Sequence, residues 1–151
     1  MKGGSFVISA TPSPPAAGKT DAPPFPDSRE RVLRCINTAL GRKAQRLVVM
    51  NVREMSSFAD YFLICSGTSD RQVKAICSHL RENLKKLGMQ PLGVEGEKHG
   101  RWILMDYDDV VIHIFLAPLR DFYDLERLWA DAPRMAIPEE AELIAALAED
   151  L

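Results

Sequence analysis

Two apolar segments joined by a short acidic link constrain the fold of this chain more than any other feature. Residues 102–105 and 110–116 have the length of strands, and aspartate, which favours turns, occurs three times in the four residues between them. The two segments are therefore predicted to form a β-hairpin. Side chains alternate between the faces of a strand, so Trp102, Leu104 and Asp106 are expected on one face and Ile103 on the other.

A long amphipathic helix is predicted before this hairpin. Ser69 followed by Gln72 forms a capping box, and Gly88 is placed to end the helix. The apolar positions between them recur at helical spacing: Val73, Ile76, Leu80, Leu84 and Leu87. The other face carries basic residues, which we interpret as a solvated face rather than a binding site: Arg71, Lys74, Arg81, Lys85 and Lys86.

The remaining elements complete a mixed arrangement of helices and strands. They are a helix that starts at Asp27 or Ser28 and ends at Gly41, strands at 47–52, 61–65 and 91–94, and helices at 120–129 and 139–148. One strand–helix–strand crossover together with several hairpins predicts an α/β (α+β) fold, with a mixed β-sheet of about five strands flanked by helices.

The chain is predicted to divide into three parts. Residues 1–26 are rich in proline, which denies a segment both helix and ladder hydrogen bonds, so we expect a disordered tail there. Residues 27–133 are predicted to form the folded domain and residues 134–151 a C-terminal helical extension. A chain of 151 residues with 46% hydrophobic content is sufficient for one domain with a buried core.

The net charge, the cysteines and the length of the apolar segments restrict where in the cell the protein is expected and what it is expected to bind. The net charge of -2 gives no overall attraction to phosphate, so a nucleic-acid partner requires a local basic patch or contact through another protein. Cys35, Cys65 and Cys77 lack metal-site spacing and are predicted to be reduced structural thiols. Neither a membrane-spanning segment nor a signal peptide is recognisable, so we expect a cytoplasmic protein.

Two segments resemble sites of phosphate or metal chemistry. The turn 67–70 lies between a strand and a helix, where backbone amides can hold an anion, but it lacks the known fingerprints and a plain capped turn is favoured. Asp106 and Asp108 have the spacing of the aspartate pairs that hold magnesium in nucleotidyltransferases. A role for both residues in the turn is favoured. A magnesium-dependent nucleotidyltransferase-like enzyme is thus the alternative function. No set of residues predicts a catalytic, cofactor or metal site, and the three histidines show no zinc-site spacing.

Trp102 is the candidate for an interaction surface. It follows a charged, glycine-rich loop at residues 95–101, and its neighbours Arg101 and Asp106 offer a polar rim around an apolar anchor. The pattern fits an interface hot spot and a core tryptophan equally well.

Several segments together resemble a known family, the ribosomal silencing factors of the Iojap family. The matching segments occur in the family's order: residues 60–69 followed by Gln72, then 93–97, 102–107, 109–115 and 123–129. The resemblance runs from Arg29 to Ala132 and leaves out the tail and the segment after Pro133.

This resemblance implies a non-enzymatic factor that works without a cofactor. Such a factor binds the large ribosomal subunit through large-subunit ribosomal protein number fourteen, blocks association with the small subunit, and represses translation under nutrient limitation. The implied topology is nucleotidyltransferase-like without the active site, and the free protein is implied to be a homodimer with no membrane and no sequence-specific nucleic-acid partner. The family's docking surface, carried onto matching positions, implies partner contacts by Trp102, Ile103, Leu104, Asp106 and Tyr107, with Gly100 and Arg101 at the edge.

Overall fold

The computed structural model describes residues 27–137 of the chain. In chain order its elements are α1 (Ser28–Leu40), β1 (Gln45–Asn51), β2 (Tyr61–Gly67), α2 (Asp70–Lys86), β3 (Gly93–Glu95), β4 (Trp102–Asp106), β5 (Val110–Leu116), α3 (Ala117–Tyr123), α4 (Leu125–Leu128) and β6 (Arg134–Met135). The predicted tail at 1–26 and the predicted helix at 139–148 lie outside the described residues.

The strands form one six-stranded mixed sheet in the order β3-β4-β5-β2-β1-β6. β2 and β5 are parallel at its centre, and the other neighbouring strands are antiparallel. All seven residues of β2 are buried, as expected for a central strand with both faces covered. The predicted mixed sheet with flanking helices is confirmed.

The sixth strand was not predicted. β6 has only two residues, and a segment of that length shows no alternation to recognise. Met135 pairs with Val49 of β1, so the sheet continues into residues that had been placed in the C-terminal extension.

Helices α1 and α2 cover one face of the sheet and enclose the larger part of the core. The side chain of Asp27 accepts a hydrogen bond from the backbone of Arg29 at 3.0 Å and caps α1. The predicted apolar stripe of α2 is buried at Val73, Ile76, Leu80 and Leu84. These residues pack in one cluster with Leu63, Ile103, Met105, Ile112 and Ile114 of the strands.

The opposite face of the sheet is only partly covered. Its buried residues form a second cluster that includes Phe62, Ile64, Val111 and Phe115 of the central strands with Leu125 and Ala132. Trp102, Leu104 and Trp129 pack against this cluster while remaining partly exposed. An apolar sheet face that is incompletely covered is where a binding partner would gain most from contact.

The prediction of a single helix at 120–129 is wrong. The structure has α3 and α4 instead, separated at Asp124, whose φ of 50° is left-handed and ends a regular helix. Of the apolar residues in this segment, Phe122 and Leu128 are 77% and 74% exposed, whereas Leu125 is buried. The spacing of these apolar residues fits a continuous helix, but the break at Asp124 changes the direction in which they point.

No helix within residues 27–137 has the length and apolar character that crossing a lipid bilayer requires.

Candidate functional site

The indole of Trp102 is held in place by three neighbouring rings. It stacks on Phe115 with ring centroids 4.7 Å apart, and it lies 5.0 Å from the ring of Tyr123. Its Nε1 donates a hydrogen bond to Nδ1 of His113 at 3.2 Å. Trp102 is therefore a partly exposed aromatic side chain with a fixed orientation. This placement is intermediate between the core tryptophan and the fully exposed interface residue that the sequence left open.

His113 supports Trp102 from inside the sheet. Burial lowers the pKa of His113 to about 3, so its ring is neutral near pH 7. Because Nδ1 accepts the hydrogen bond from Trp102, the proton of the neutral ring belongs on Nε2. That Nε2 is buried and has no hydrogen-bond partner among residues 27–137. His113 was not singled out from the sequence. The hairpin register, which pairs it with Leu104, is the signal that relates it to Trp102.

Leu104 and Asp106 share the face of β4 on which Trp102 lies. Leu104 is partly exposed and packs against the second cluster. Asp106 accepts a hydrogen bond from the backbone of Asp108 at 2.8 Å through Oδ1. Burial raises the pKa of Asp106, and the negative charges of Asp108 and Glu95 add to the effect, while the hydrogen bond opposes it. Asp106 thus lies on the same face of β4 as Trp102 but at the opposite end of the strand, where its carboxylate takes part in the β4–β5 turn.

The side chains of Ile103 and Tyr107 do not reach this face. Ile103 is 0% exposed and Tyr107 is 1% exposed, both in the cluster under α1 and α2. Alternation along β4 turns Ile103 away from Trp102, and the chain carries Tyr107 into the core after the strand ends. The structure therefore removes these two side chains from the predicted set of partner contacts.

The loop before β4 fixes where the strand begins. Gly96 has φ +84°, and a Cβ there would lie 2.0 Å from the carbonyl oxygen of Trp102. Gly100 has φ +69°, and a Cβ there would lie 2.8 Å from the carbonyl oxygen of Asp70. Only glycine fits such close approaches with a positive φ. Gly100 is buried and offers no side chain, whereas Arg101 is exposed at the edge of the face.

Exposed aromatic residues on α3 extend the surface beyond Trp102. Tyr123 is 48% exposed and contacts the indole directly, and the ring of Phe122 lies 5.2 Å from that of Tyr123. We call the exposed and partly exposed residues of this region, as candidates for partner contact, the docking face: Arg101, Trp102, Leu104, Asp106, Phe122 and Tyr123.

Arg120 anchors α3 and α4, and sequence reasoning missed it. It is 1% exposed, donates to Oε2 of Glu126 at 2.7 Å and donates to Oγ of Ser66 at 2.8 Å. Burial alone would raise the pKa of Glu126, but the hydrogen bond and positive charge of Arg120 outweigh it and lower the pKa. A charged residue inside an amphipathic pattern is normally exposed, so the sequence carried no signal for this buried ion pair.

The two segments that resembled phosphate or metal sites are turns. Ser69 accepts a hydrogen bond from the backbone of Gln72 at 3.1 Å, and the Gln72 side chain in turn accepts one from the backbone of Thr68 at 2.6 Å. The capped turn at 67–70 is confirmed, as is the turn role of Asp106 and Asp108. Within the part of the chain that the structure describes, no three His, Cys, Asp or Glu residues are grouped as a metal site would require.

The three thiols are free and buried, which confirms their predicted structural role. Burial raises the pKa of Cys35 and Cys65 to about 12, and burial with the nearby charge of Glu97 raises that of Cys77 to about 11. Thiols protonated to this degree are poor nucleophiles and poor metal ligands.

Comparison with known proteins identifies the family. The model of the family described as "Ribosomal silencing factor during starvation" matches residues 26–150. The chain belongs to this ribosomal silencing factor family. The match confirms the resemblance and extends beyond residues 29–132, over which the sequence motifs had indicated it.

Relatives of this silencing factor family share both sequence and fold with the chain. Ribosomal silencing factor RsfS of Halalkalibacterium halodurans is 37% identical over 110 residues, which are 73% of this chain and 94% of that protein. A crystal structure of a Chromobacterium violaceum protein aligns with a TM-score of 0.65 at 32% identity, covering 68% of this chain and 85% of that one. Mitochondrial assembly of ribosomal large subunit protein 1 of Mus musculus is 34% identical over 89 residues, 57% of this chain and 39% of that protein. Membership places the chain among ribosome-associated regulators of translation.

Proposed function

We propose that this protein binds the large ribosomal subunit through its docking face and prevents the small subunit from joining, which represses translation under nutrient limitation. The observation that carries the proposal is the indole of Trp102, which is partly exposed yet oriented by His113, Phe115 and Tyr123. Trp102 adjoins the exposed rings of Phe122 and Tyr123, and a contiguous apolar patch of this kind marks an interaction surface, whereas single exposed apolar residues do not.

The surroundings of Trp102 have the composition of an interface centre. Phe122 and Tyr123 add exposed aromatic area next to the indole, and Arg101 and Asp106 supply charge at the two ends of β4. Interfaces concentrate their binding energy in such aromatic anchors, and a polar rim adds specificity. Since the ring is already fixed, a partner loses little side-chain entropy when it covers the indole.

The partner that the family resemblance implies is large-subunit ribosomal protein number fourteen. That protein lies on the subunit face that meets the small subunit, so a domain bound there would exclude the small subunit sterically. The name of the mouse relative also refers to the large ribosomal subunit, which agrees with a partner on that subunit.

The protein is proposed to act by binding alone, in the cytoplasm, and without a cofactor. The carboxylate of Asp106 is engaged with the backbone of Asp108 in a turn, so no observation favours the nucleotidyltransferase alternative. Free in solution, the protein is proposed to be a homodimer, which light scattering coupled to size-exclusion chromatography would measure directly.

Sedimentation with purified subunits tests this function. The protein is mixed with large subunits, centrifuged through sucrose, and then challenged with small subunits at a magnesium concentration that supports joining. We expect it to sediment with the large subunit and to reduce the amount of joined ribosomes in proportion to its occupancy. A protein that stays in the supernatant while joining proceeds normally would show that the proposal is wrong.

A further inference from the structure

One end of the sheet brings together four segments that are distant in sequence. β2 and β5 are parallel and both end there, whereas β1 and β4 are antiparallel to them and begin there. The turn before β1, the first turn of α2, the loop before β4 and the start of α3 therefore meet at this end.

Specific contacts join these segments. The side-chain Nε2 of Gln72 donates to the carbonyl oxygen of Lys43 at 3.4 Å, which places the turn before β1 beside α2. Gly100 is packed so closely against the carbonyl of Asp70 that no Cβ would fit, which places the loop before β4 beside the same turn of α2. Arg46 forms an ion pair with Asp121 of α3 at 3.2 Å.

Exposed cations are concentrated at this end, which we call the basic end. They are Arg42, Lys43, Arg46, Arg71, Lys74, Lys98 and Arg101. Among these seven cations, Arg46 alone forms an ion pair with a carboxylate within residues 27–137. The acids nearby are Asp70 and Asp121, together with Glu97, which pairs with Arg81 at 2.9 Å, and Glu126, which pairs with Arg120 at 2.7 Å.

The opposite end of the sheet carries charges of both signs, several of them paired. The aspartates of the β4–β5 turn and Asp60 lie there, but Asp109 pairs with Arg31 at 2.8 Å and Asp60 with Arg53 at 3.7 Å. The net charge of -2 therefore hides a local group of exposed and mostly unpaired cations at the basic end. The local basic patch that a nucleic-acid partner requires is present, although the sequence showed only scattered basic residues.

We propose that the basic end binds the phosphate backbone of ribosomal RNA beside the protein-docking face. This inference rests on the proposed function and adds a second class of contact to it. Arg101 directly precedes Trp102 at the start of β4, so the cations are continuous with the docking face. A ribosomal subunit presents RNA phosphates next to its proteins, and a domain docked through Trp102 would bring this end against them.

The chemistry of the basic end favours RNA over an acidic protein. The large hydrophobic residues exposed within residues 27–137 are Met55, Phe58, Leu92, Phe122, Tyr123 and Leu128. None belongs to the segments 41–46, 68–74 or 96–101, which carry the cations, so these segments offer charge without an apolar anchor. Phe122 and Tyr123 follow Asp121 on α3 and belong to the adjoining docking face. Protein interfaces depend on buried anchors, whereas binding to phosphates depends on exposed Lys and Arg. The backbone amide of Thr68 is occupied by Gln72, so the cationic side chains make the contacts.

The salt dependence of binding to large subunits tests the inference. Affinity is measured from 50 to 300 mM KCl (roughly the range over which phosphate contacts weaken) for the wild type and for Arg71→Gln/Lys74→Gln. Each lost phosphate contact reduces the slope of log K against log salt by about 0.7 to 0.9, so the double variant should lower the slope by about 1.5 to 2. Lys85→Gln/Lys86→Gln is the matched control, because it removes the same charge from the other end of the same helix.

The outcomes separate this inference from the proposed function. A wild type that fails to bind large subunits at every salt concentration overturns both. A wild type that binds with a slope unchanged by Arg71→Gln/Lys74→Gln, or changed equally by the control, overturns the inference and leaves the docking proposal intact. Trp102→Ala should weaken binding at all salt concentrations without altering the slope.

Directed cleavage distinguishes RNA from an acidic protein. Because the native thiols are buried, a single exposed cysteine can be labelled with iron-EDTA at His99→Cys on the basic end or at Gln90→Cys on the other end. We expect hydroxyl radicals from position 99 to cut ribosomal RNA and those from position 90 to leave it uncut. A reduced salt slope with no RNA cleavage from position 99 would identify an acidic ribosomal protein as the contact and overturn the inference.

Discussion

Trp102 and His113 are joined side chain to side chain across the β4–β5 hairpin, with the indole Nε1 donating to Nδ1 of the imidazole at 3.2 Å. The bond fixes the indole on one side and selects the tautomer of the histidine on the other. His113 is 3% exposed, so the acceptor that positions the partly exposed indole is itself immobilised in the core. The orientation of the proposed anchor is thus determined by a buried residue that a partner cannot touch.

Replacing Trp102 with alanine should weaken binding to the large subunit at least thirtyfold. Truncating a hot-spot anchor costs about 2 kcal/mol or more, and each 1.4 kcal/mol corresponds to about a tenfold change in affinity. Quantitative co-sedimentation measures the change. Phe58→Ala is the matched control, because Phe58 is a 48% exposed aromatic outside the docking face. Equal affinity of a folded Trp102→Ala variant and the wild type would contradict the docking proposal.

His113 should make the fold sensitive to acid. Burial lowers its pKa from 6.5 to about 3, so the unfolded chain binds a proton at pH values where the folded chain does not. Its contribution to stability is therefore complete above pH 6.5 and decreases as the pH falls from 6.5 toward 3, by at most about 1.4 kcal/mol per pH unit.

Urea unfolding of the wild type and His113→Gln at pH 7, 6, 5 and 4 measures this contribution. Glutamine does not titrate, and its amide oxygen can accept the bond from Trp102. The difference in free energy of unfolding between the two proteins should shift in favour of the variant as the pH falls. A difference that stays constant with pH would show that His113 titrates with the same pKa in the folded and unfolded states, which would contradict its burial.

Breaking the buried pair of Arg120 and Glu126 should destabilise the protein strongly. Arg120→Met leaves the carboxylate of Glu126 and the hydroxyl of Ser66 without their donor, and losing one member of a buried pair costs about 3 kcal/mol or more. Arg46→Met should cost less than about 1 kcal/mol, because the pair of Arg46 with Asp121 is exposed. Chemical unfolding compares the two variants, and similar losses of stability would refute the role of Arg120 as the anchor of α3 and α4.

Gly96→Ala should destabilise the fold and displace the start of β4. The new Cβ would meet the carbonyl of Trp102 in a backbone with φ +84°, so steric overlap adds to the cost of about 1 kcal/mol for the left-handed conformation itself. Gly93→Ala is the control, since its Cβ would have no atom within 4 Å. Thermal unfolding should show a clearly lower Tm for Gly96→Ala alone. Tryptophan fluorescence reports whether the indole has moved. If neither the Tm nor the fluorescence of Gly96→Ala differed from those of the wild type, the close packing of this loop would be contradicted.

Elements governed by local chemistry could be predicted from the sequence. The cap at Ser69, the apolar stripe of α2 and the alternation along β4 each depend on residues a few positions apart. Those interactions are the same in any context, so the helices α1 and α2, the five longer strands and the mixed sheet were all predicted. Which residues contact a partner stays a prediction. Within the predicted set, the structure buries Ile103 and Tyr107, and alternation along β4 already places Ile103 on the face opposite Trp102.

Other features depend on contacts between residues far apart in the chain, and only the tertiary structure decided them. Arg120 is buried because Ser66, 54 residues away, and Glu126, beyond the break at Asp124, both accept its hydrogen bonds. Trp102 is half-buried because His113, Phe115 and Tyr123 surround it. The basic end exists because the sheet order brings the starts of β1 and β4 beside the ends of β2 and β5. Local sequence determined which segments form helices and strands, whereas long-range pairing determined which of their side chains meet and which remain exposed.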